Sequence, residues 1–240
     1  MSDSRKSLIV VSAHAGDFVW RAGGAIAHHT KNLGYRAVVV CLSCGERGES
    51  GQFYTSPDVK AADVREKRRA EAIAAAEVLG AEIHFFDAPD YILQITPEMR
   101  QRTVDIYREV QPNFILTHPA ADPSNWDHVT AYRFALECRM EAQAHGRPGG
   151  PIIGAPQVYQ FEPHQNELCD FVPDTLLNIS SVWDLKWEAM QQIPGQSRMW
   201  AYYKNLAEQR GNTAGRRTKG NPITHAEAFQ KVFPTTLSEL

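Results

Sequence analysis

SLIVVSAHAGDFVWRAGGAIA, residues 7–27, changes character half-way along. Its first part is a short apolar run rich in Ile and Val that ends at Ser12. Such a run is too short for a core helix and suits a buried strand over 8–12. From Trp20 onward the pattern becomes helical, and a helix is expected over 20–33. The turn between them carries His14 and Asp17, three apart, and between these lie Ala15 and Gly16, which can neither hold a metal nor move a proton. A strand running through a polar turn into a helix is the first unit of a parallel α/β sheet.

The same alternation continues outward. Apolar, β-branched runs predict strands over 37–43, 83–86, 114–117 and 158–161, with a weaker one over 176–179. Helices are expected over 59–79, 97–109 and 127–144, the second capped by Thr96 with Pro97 as its first residue. Gly34 and Gly80 stand where helices should stop. The reading is an α/β fold: one Rossmann-like domain over 1–240, with a mainly parallel sheet flanked by helices. Residues from about 175 to 240 read as a helical C-terminal extension. It comprises helices over 182–193 and 198–209, a polar loop over 210–222, and a last helix over 225–232.

Composition narrows the function. The chain has 240 residues and a formal net charge of -3, which gives no basic footprint for nucleic acid. No apolar run approaches the ~18 residues of a membrane span, and the start does not read as a signal peptide, so the cytoplasm is expected. Cys41, Cys44, Cys138 and Cys169 read as reduced thiols. Cys41 and Cys44 close a strand, where side chains three apart point to opposite faces, so they do not suggest a redox pair. Trp183, Trp187, Trp200, Tyr202 and Tyr203 crowd the last third and suit either a homo-oligomer interface or helix packing.

In open parallel sheets, ligands bind beyond the carboxyl ends of the strands. Reading only those ends collects His14 and Asp17, then Gly45-Glu-Arg-Gly-Glu-Ser50, then His118, Asp122, Asn125, Asp127 and His128, and finally Glu162 and His164. Each has a plain structural alternative: Asp127 could cap the helix that follows it, and GERGES could be a solvated turn. Taken together, His14, Asp17 and His128 make a three-ligand metal site with positions left for water or substrate, with Zn2+ the first choice and Fe2+ also suited to the same ligands. The Gly23-Gly24 pair is no dinucleotide fingerprint, because G-x-G-x-x-G is missing.

AH-xx-D ahead of a GG helix, GExGE after the second strand, RxxE at Arg68 and Glu71, and DH opening a later helix together resemble the PIG-L/LmbE family. That family comprises zinc-dependent N-acetylglucosamine deacetylases on a Rossmann-like fold, and the likeness runs from about residue 8 to 161. It implies that His14, Asp17 and His128 are the metal ligands. Two departures stand out. Gly16 occupies the position of the family's general-base aspartate, and Asn125 that of the first histidine of H-P-D-H. A positioned acid or base typically contributes ~100- to 10,000-fold, so losing both should disable amide hydrolysis while leaving the Lewis acid.

AHAxDFVWRxGGAIA, VVCLSxGERGES, xPxNxDH, GAPxVYxFEPHQ and YYxxxAxQRG resemble, over nearly the whole chain, a hydratase branch of that family found in bacterial gallate catabolism. This resemblance implies a metal-dependent lyase that adds water to a conjugated double bond of a small tricarboxylate. It places the essential glutamate on Glu49, with Glu46 as the alternative, and the essential histidine on His164. Which of the two is acid and which base stays open. Arg47, Arg68 and Asn125 are expected to face the substrate, the arginines gripping carboxylates through planar two-point contacts. Arg210, Arg216 and Arg217 are further candidates. Two other functions remain: an N-acetyl-sugar deacetylase with a relocated base, and a non-catalytic metal- or ligand-binding domain.

Overall fold

Strand β1 (Ser7–Ser12) is buried along its whole length in the computed structural model, which describes residues 5–220, 222–236 and 239. Leu8 and Val10 enter one hydrophobic core, Ile9 and Val11 the other. Strand β2 (Arg36–Cys41) repeats this, with Val39 on the first side and Val38 and Val40 on the second. Burial on both faces is why these strands read as unbroken apolar runs rather than as alternating ones. Each fully buried Val, Leu or Ile contributes about 1.5–3 kcal/mol, which makes this layer the main anchor of the fold.

The sheet has seven strands in the order β3-β2-β1-β4-β5-β7-β6. Strands β3 (Ala81–Phe85), β4 (Phe114–Thr117) and β5 (Gln157–Phe161) run parallel to β1 and β2. Helices α1 (Asp17–Ala27), α2 (Ala61–Leu79), α5 (Trp183–Gln191) and α6 (Met199–Gly215) cover the first core, while α3 (Pro97–Val110) and α4 (Trp126–Ala142) cover the second. Winding reverses where β1 sits between β2 and β4. That reversal opens a crevice at the carboxyl ends of β1 and β4, and the functional residues collect there.

Helix ends follow local chemistry. Thr96 accepts a hydrogen bond from the Met99 N–H at 3.3 Å, and Pro97 begins α3 as expected. Gly80 ends α2 in the left-handed conformation, φ 73°. Asn125, not Asp127, caps α4: its side-chain oxygen accepts from the Asp127 N–H at 3.1 Å, which frees the Asp127 carboxylate for other work.

The C-terminal third corrects the sequence reading in two places. Both expected helices are present as α5 and α6, but α6 runs on to Gly215, so half of the expected 210–222 loop is helical. Asn221 of that loop lies outside the described residues. The tail expected as a helix over 225–232 is instead strand β7 (Ala226–Lys231), antiparallel to both β5 and β6 (Thr175–Asn178). Its sequence, AEAFQK, is locally a good helix former, and pairing with the free edge of β5 overrides that preference. Buried Glu227 is stabilised there by the N–H groups of Gly24 and Ala25, both at 2.7 Å, and by Lys186 Nζ at 2.6 Å.

All four cysteines are free and buried. The C-terminal aromatics pack within the chain: Trp183 stacks on Trp187 and on His225, with centroids 6.2 and 4.1 Å apart. No helix among the described residues is long and apolar enough to cross a membrane.

Candidate active site

The loop after β1 brings His14 beside Asp17 in the first turn of α1. The Asp17 Oδ2 atom accepts the His14 backbone N–H at 2.8 Å, which ties the two together. From the other side of the crevice, α4 delivers His128. One ligand atom from each of His14, Asp17 and His128 lies within 4.8 Å of the others, and all three residues are buried. His14 Nδ1 is 3.3 Å from Asp17 Oδ2, and His128 Nε2 is 3.7 Å from Asp17 Oδ1.

The far side of each ring is held by a second carboxylate. His14 Nε2 lies 3.0 Å from Asp127 Oδ2, and His128 Nδ1 lies 2.7 Å from Asp122 Oδ2. A carboxylate there takes the ring's N–H and leaves the opposite nitrogen with a free lone pair. Those opposite atoms, His14 Nδ1 and His128 Nε2, have no hydrogen-bond partner among the described residues. Two buried, unpaired nitrogens converging on a carboxylate are the donor set of a divalent-metal site, so a metal ion fits these residues.

Electrostatics points the same way. Burial opposes charge on His14, yet its bond to the Asp127 carboxylate and the nearby Asp17 carboxylate overcome it and push its pKa up to about 10. Burial would raise Asp17, but the His118 and His128 imidazoles beside it and its contact with His14 hold it well below the carboxylate range. The Asp17 and Asp127 carboxylates thus favour a cation beside them, while burial and then the Arg21 charge lower the pKa of His128 and favour its neutral form. His118 is not a fourth ligand. Its Nε2 accepts the Ala13 N–H at 3.0 Å, its ring stacks on His128 with centroids 4.2 Å apart, and burial depresses its pKa strongly.

Beside the cluster lies a cavity of about 170 Å³ whose walls include Asp17, Glu49, Asn125, His128, His164 and Gln196. Three donors converge on the Glu49 carboxylate. Asn125 Nδ2 and the Tyr91 hydroxyl reach Oε1 at 3.1 and 3.0 Å, and Gln196 Nε2 reaches Oε2 at 3.1 Å. Glu46, the alternative, is turned away and fully buried, with Arg65 donating to it at 2.5 Å. His164 stands at the cavity wall with Nδ1 2.8 Å from the Tyr203 hydroxyl. Its outer edge is exposed. Desolvation by the surrounding protein, then the Arg21 charge, pushes its pKa down to about 3.

The structure separates the expected substrate residues. Asn125 is in the cavity, but both ends of its amide are engaged, one capping α4 and one on Glu49. Arg47 is not: its side chain lines a neighbouring cleft with Phe86, Ile92 and Arg102, because Asp90 fixes its backbone N–H at 3.0 Å and turns the loop outward. Arg68 is fully buried behind the cavity, where it donates to Glu71 at 2.5 Å and to Gln196 Oε1 at 2.7 Å. Arg210 is paired with Glu162, and Arg216 and Arg217 are exposed beyond α6. Among the described residues that line the cavity there is no Lys or Arg.

Gly16 explains itself sterically. A Cβ there would come 2.5 Å from Trp20 Nε1 and 2.6 Å from Gln196 Oε1, so the space an aspartate would need is filled. In the sequence Asp122 and Asp127 stand among the strand-end residues, Asp127 only as a possible helix cap and Asp122 with no role, while Tyr91 and Gln196 do not stand out. Tyr91 comes from an irregular segment after β3 and Gln196 from a short 3-10 turn, Pro194–Gln196, after α5, and neither belongs to a motif.

Known proteins resemble this arrangement closely. The PIG-L sequence profile, GlcNAc-PI de-N-acetylase, matches residues 9–139, which include His14, Asp17 and His128. A curated relative, 4-oxalmesaconate hydratase of Pseudomonas putida KT2440, is 50% identical over 244 residues, covering 100% of this chain and 94% of its own. The chain belongs to the PIG-L family. The crystal structure of the 4-carboxy-2-hydroxymuconate hydratase from P. putida KT2440 superposes with a TM-score of 0.94 at 50% identity, covering 98% of this chain and 99% of that one. A PIG-L-like fold is also seen in the N,N'-diacetylchitobiose deacetylase of Pyrococcus horikoshii, with a TM-score of 0.77, 20% identity and coverage of 95% and 84%. The PIG-L match ends before His164, Gln196 and Tyr203, whereas the match to the hydratase extends over the part of the chain that holds them.

Proposed function

We propose that this chain is a metal-dependent hydratase that adds water to the conjugated carbon–carbon double bond of 4-oxalomesaconate, giving 4-carboxy-4-hydroxy-2-oxoadipate in bacterial gallate breakdown. The observation that carries the reading is the Glu49 carboxylate. It is held by three donors in the same cavity as His164 and the metal cluster, while the deacetylase base position at Gly16 is filled. His14, Asp17 and His128 would hold the ion, Zn2+ by first choice and Fe2+ by the same ligand chemistry. Bound there, the cation would supply Lewis acidity to the oxo-acid end of the substrate, where negative charge develops.

The chain's residues supply the proton transfers. Glu49 accepts hydrogen bonds from Asn125, Tyr91 and Gln196, which aim its carboxylate into the cavity. It takes a proton from water as the water oxygen bonds to the carbon β to the oxo group. His164, neutral in the free protein, can accept a hydrogen bond from the Tyr203 hydroxyl at Nδ1, which leaves Nε2 to exchange the catalytic proton. Protonated from solvent when the anionic substrate is bound, the His164 imidazolium passes a proton to the carbon next to the one that receives the hydroxyl, and solvent then takes the Glu49 proton and reprotonates His164. Tyr203 stays protonated because burial pushes its pKa far up.

The test is an ultraviolet assay of chromophore loss with metal-loaded protein, comparing wild type with Glu49→Gln and His164→Ala. Losses of ~100-fold or more are expected for each, and near wild-type rates for both would end the proposal.

A further inference from the structure

Gln196 belongs to none of the motifs in the sequence, yet its amide sits at the centre of the site's polar contacts. Its Oε1 accepts from Arg68 NH2 at 2.7 Å and from Trp20 Nε1 at 3.3 Å. With two donors on the oxygen, the amide can face only one way, and Nε2 points at Glu49 Oε2, 3.1 Å off. The turn that carries it is pinned by the same pair of α2 residues. Glu71 Oε1 accepts the Gly195 N–H at 2.8 Å, while Glu71 Oε2 takes Arg68 NH1 at 2.5 Å. Arg68 and Glu71 thus fix both the backbone and the side-chain orientation of this turn. Arg68, Glu71, Trp20 and Gln196 are all buried, which shields these bonds from bulk solvent.

We propose that Gln196 is a positioning residue, held by the Arg68–Glu71 pair, that fixes the Glu49 carboxylate for the hydration step. The inference rests on the hydratase reading for Glu49's role, but its geometry stands independently of turnover. It gives the RxxE pair a function: the arginine orients the base through an amide rather than gripping substrate. It also accounts for Gly16, since any side chain there would displace the Gln196 oxygen. Positioning matters because an error of about 1 Å at a reacting group can cost ~100-fold.

The test is a double-mutant cycle on the metal-loaded full chain. Gln196→Glu keeps acceptors for Arg68 and Trp20 but turns a carboxylate instead of an N–H toward Glu49. In the wild-type background kcat should fall ~10- to 100-fold with KM within threefold. In a Glu49→Gln background the same change should cost less than twofold, because there is no base left to misplace. Equal losses in both backgrounds would assign Gln196 a merely structural role and overturn the proposal. Should Gln196→Glu fail to fold, Gln196→Asn, one methylene shorter, enters the same cycle with the same expectation. If the wild-type protein does not turn over 4-oxalomesaconate, the hydratase reading falls, and crystal structures then decide the geometry. Wild type must show Gln196 Nε2 on Glu49, and Gln196→Glu must show Glu49 swung away. A wild-type structure without that contact sinks the inference.

Discussion

Asp127→Asn changes one carboxylate oxygen into an amide nitrogen and leaves the shape of the site alone. Wild-type Asp127 Oδ2 serves both His14 Nε2 at 3.0 Å and the Tyr91 N–H at 3.0 Å, and Oδ1 serves the Leu93 N–H at 2.7 Å. An asparagine can keep one oxygen on Leu93, but its NH2 group then faces two donors. The His14 ring loses the partner that fixes its tautomer, and the cluster loses one of the charges that favour a cation. Changing such an outer partner typically weakens metal affinity 10- to 100-fold, which is about 1.4–2.7 kcal/mol. Competition of wild type and variant against a chromophoric chelator at one fixed pH measures this directly, with metal content after dialysis as a second readout. A dissociation constant within twofold of wild type would refute the assignment of Asp127 as the group that orients His14. Asp122→Asn should weaken binding comparably through His128, whose Nδ1 it holds at 2.7 Å.

Three further outcomes are expected. Tyr91→Phe removes the hydroxyl that donates to Glu49 at 3.0 Å and should lower kcat ~3- to 30-fold without changing metal content, as stopped-flow absorbance and metal analysis will show. Arg47→Ala should leave KM within threefold, because Arg47 lines the neighbouring cleft; a tenfold rise would put it back in the substrate site. His118 is buried with its pKa held well below 6.5, so below pH 6.5 the unfolded chain binds a proton that the folded one refuses, and stability falls with pH by up to ~1.4 kcal/mol per unit. Denaturant titrations at pH 6.5 and 5.5 should show a smaller loss for His118→Gln than for wild type.

The parts of the fold that were legible in the sequence are those where pattern and burial coincide. Strands β1, β2, β4 and β5 are buried in runs, and Thr96 with Pro97 starts α3 as its chemistry requires. β7 was not legible, because AEAFQK gains its strand form only from the edges of β5 and β6. In the site, His14, Asp17, His128, Glu49, Asn125 and His164 are brought to one crevice because strand ends and helix starts put them there. The arginines misled, since position in a motif says nothing of which way a side chain points. Arg47 faces outward from its loop and Arg68 lies beneath the site. Tyr91 and Gln196 were invisible because they arrive from an irregular segment and a short 3-10 turn, both distant in sequence from Glu49, and only the folded chain sets the contact.

The most direct measurement follows 4-oxalomesaconate by ultraviolet absorbance with protein carrying one equivalent of divalent metal, alongside acetate release from an N-acetyl sugar. The account predicts that the chromophore is lost with wild type, is retained with Glu49→Gln at equal metal content, and that no acetate appears in either case. A chromophore that persists in the presence of metal-loaded wild type, while acetate is released from the sugar, would contradict it.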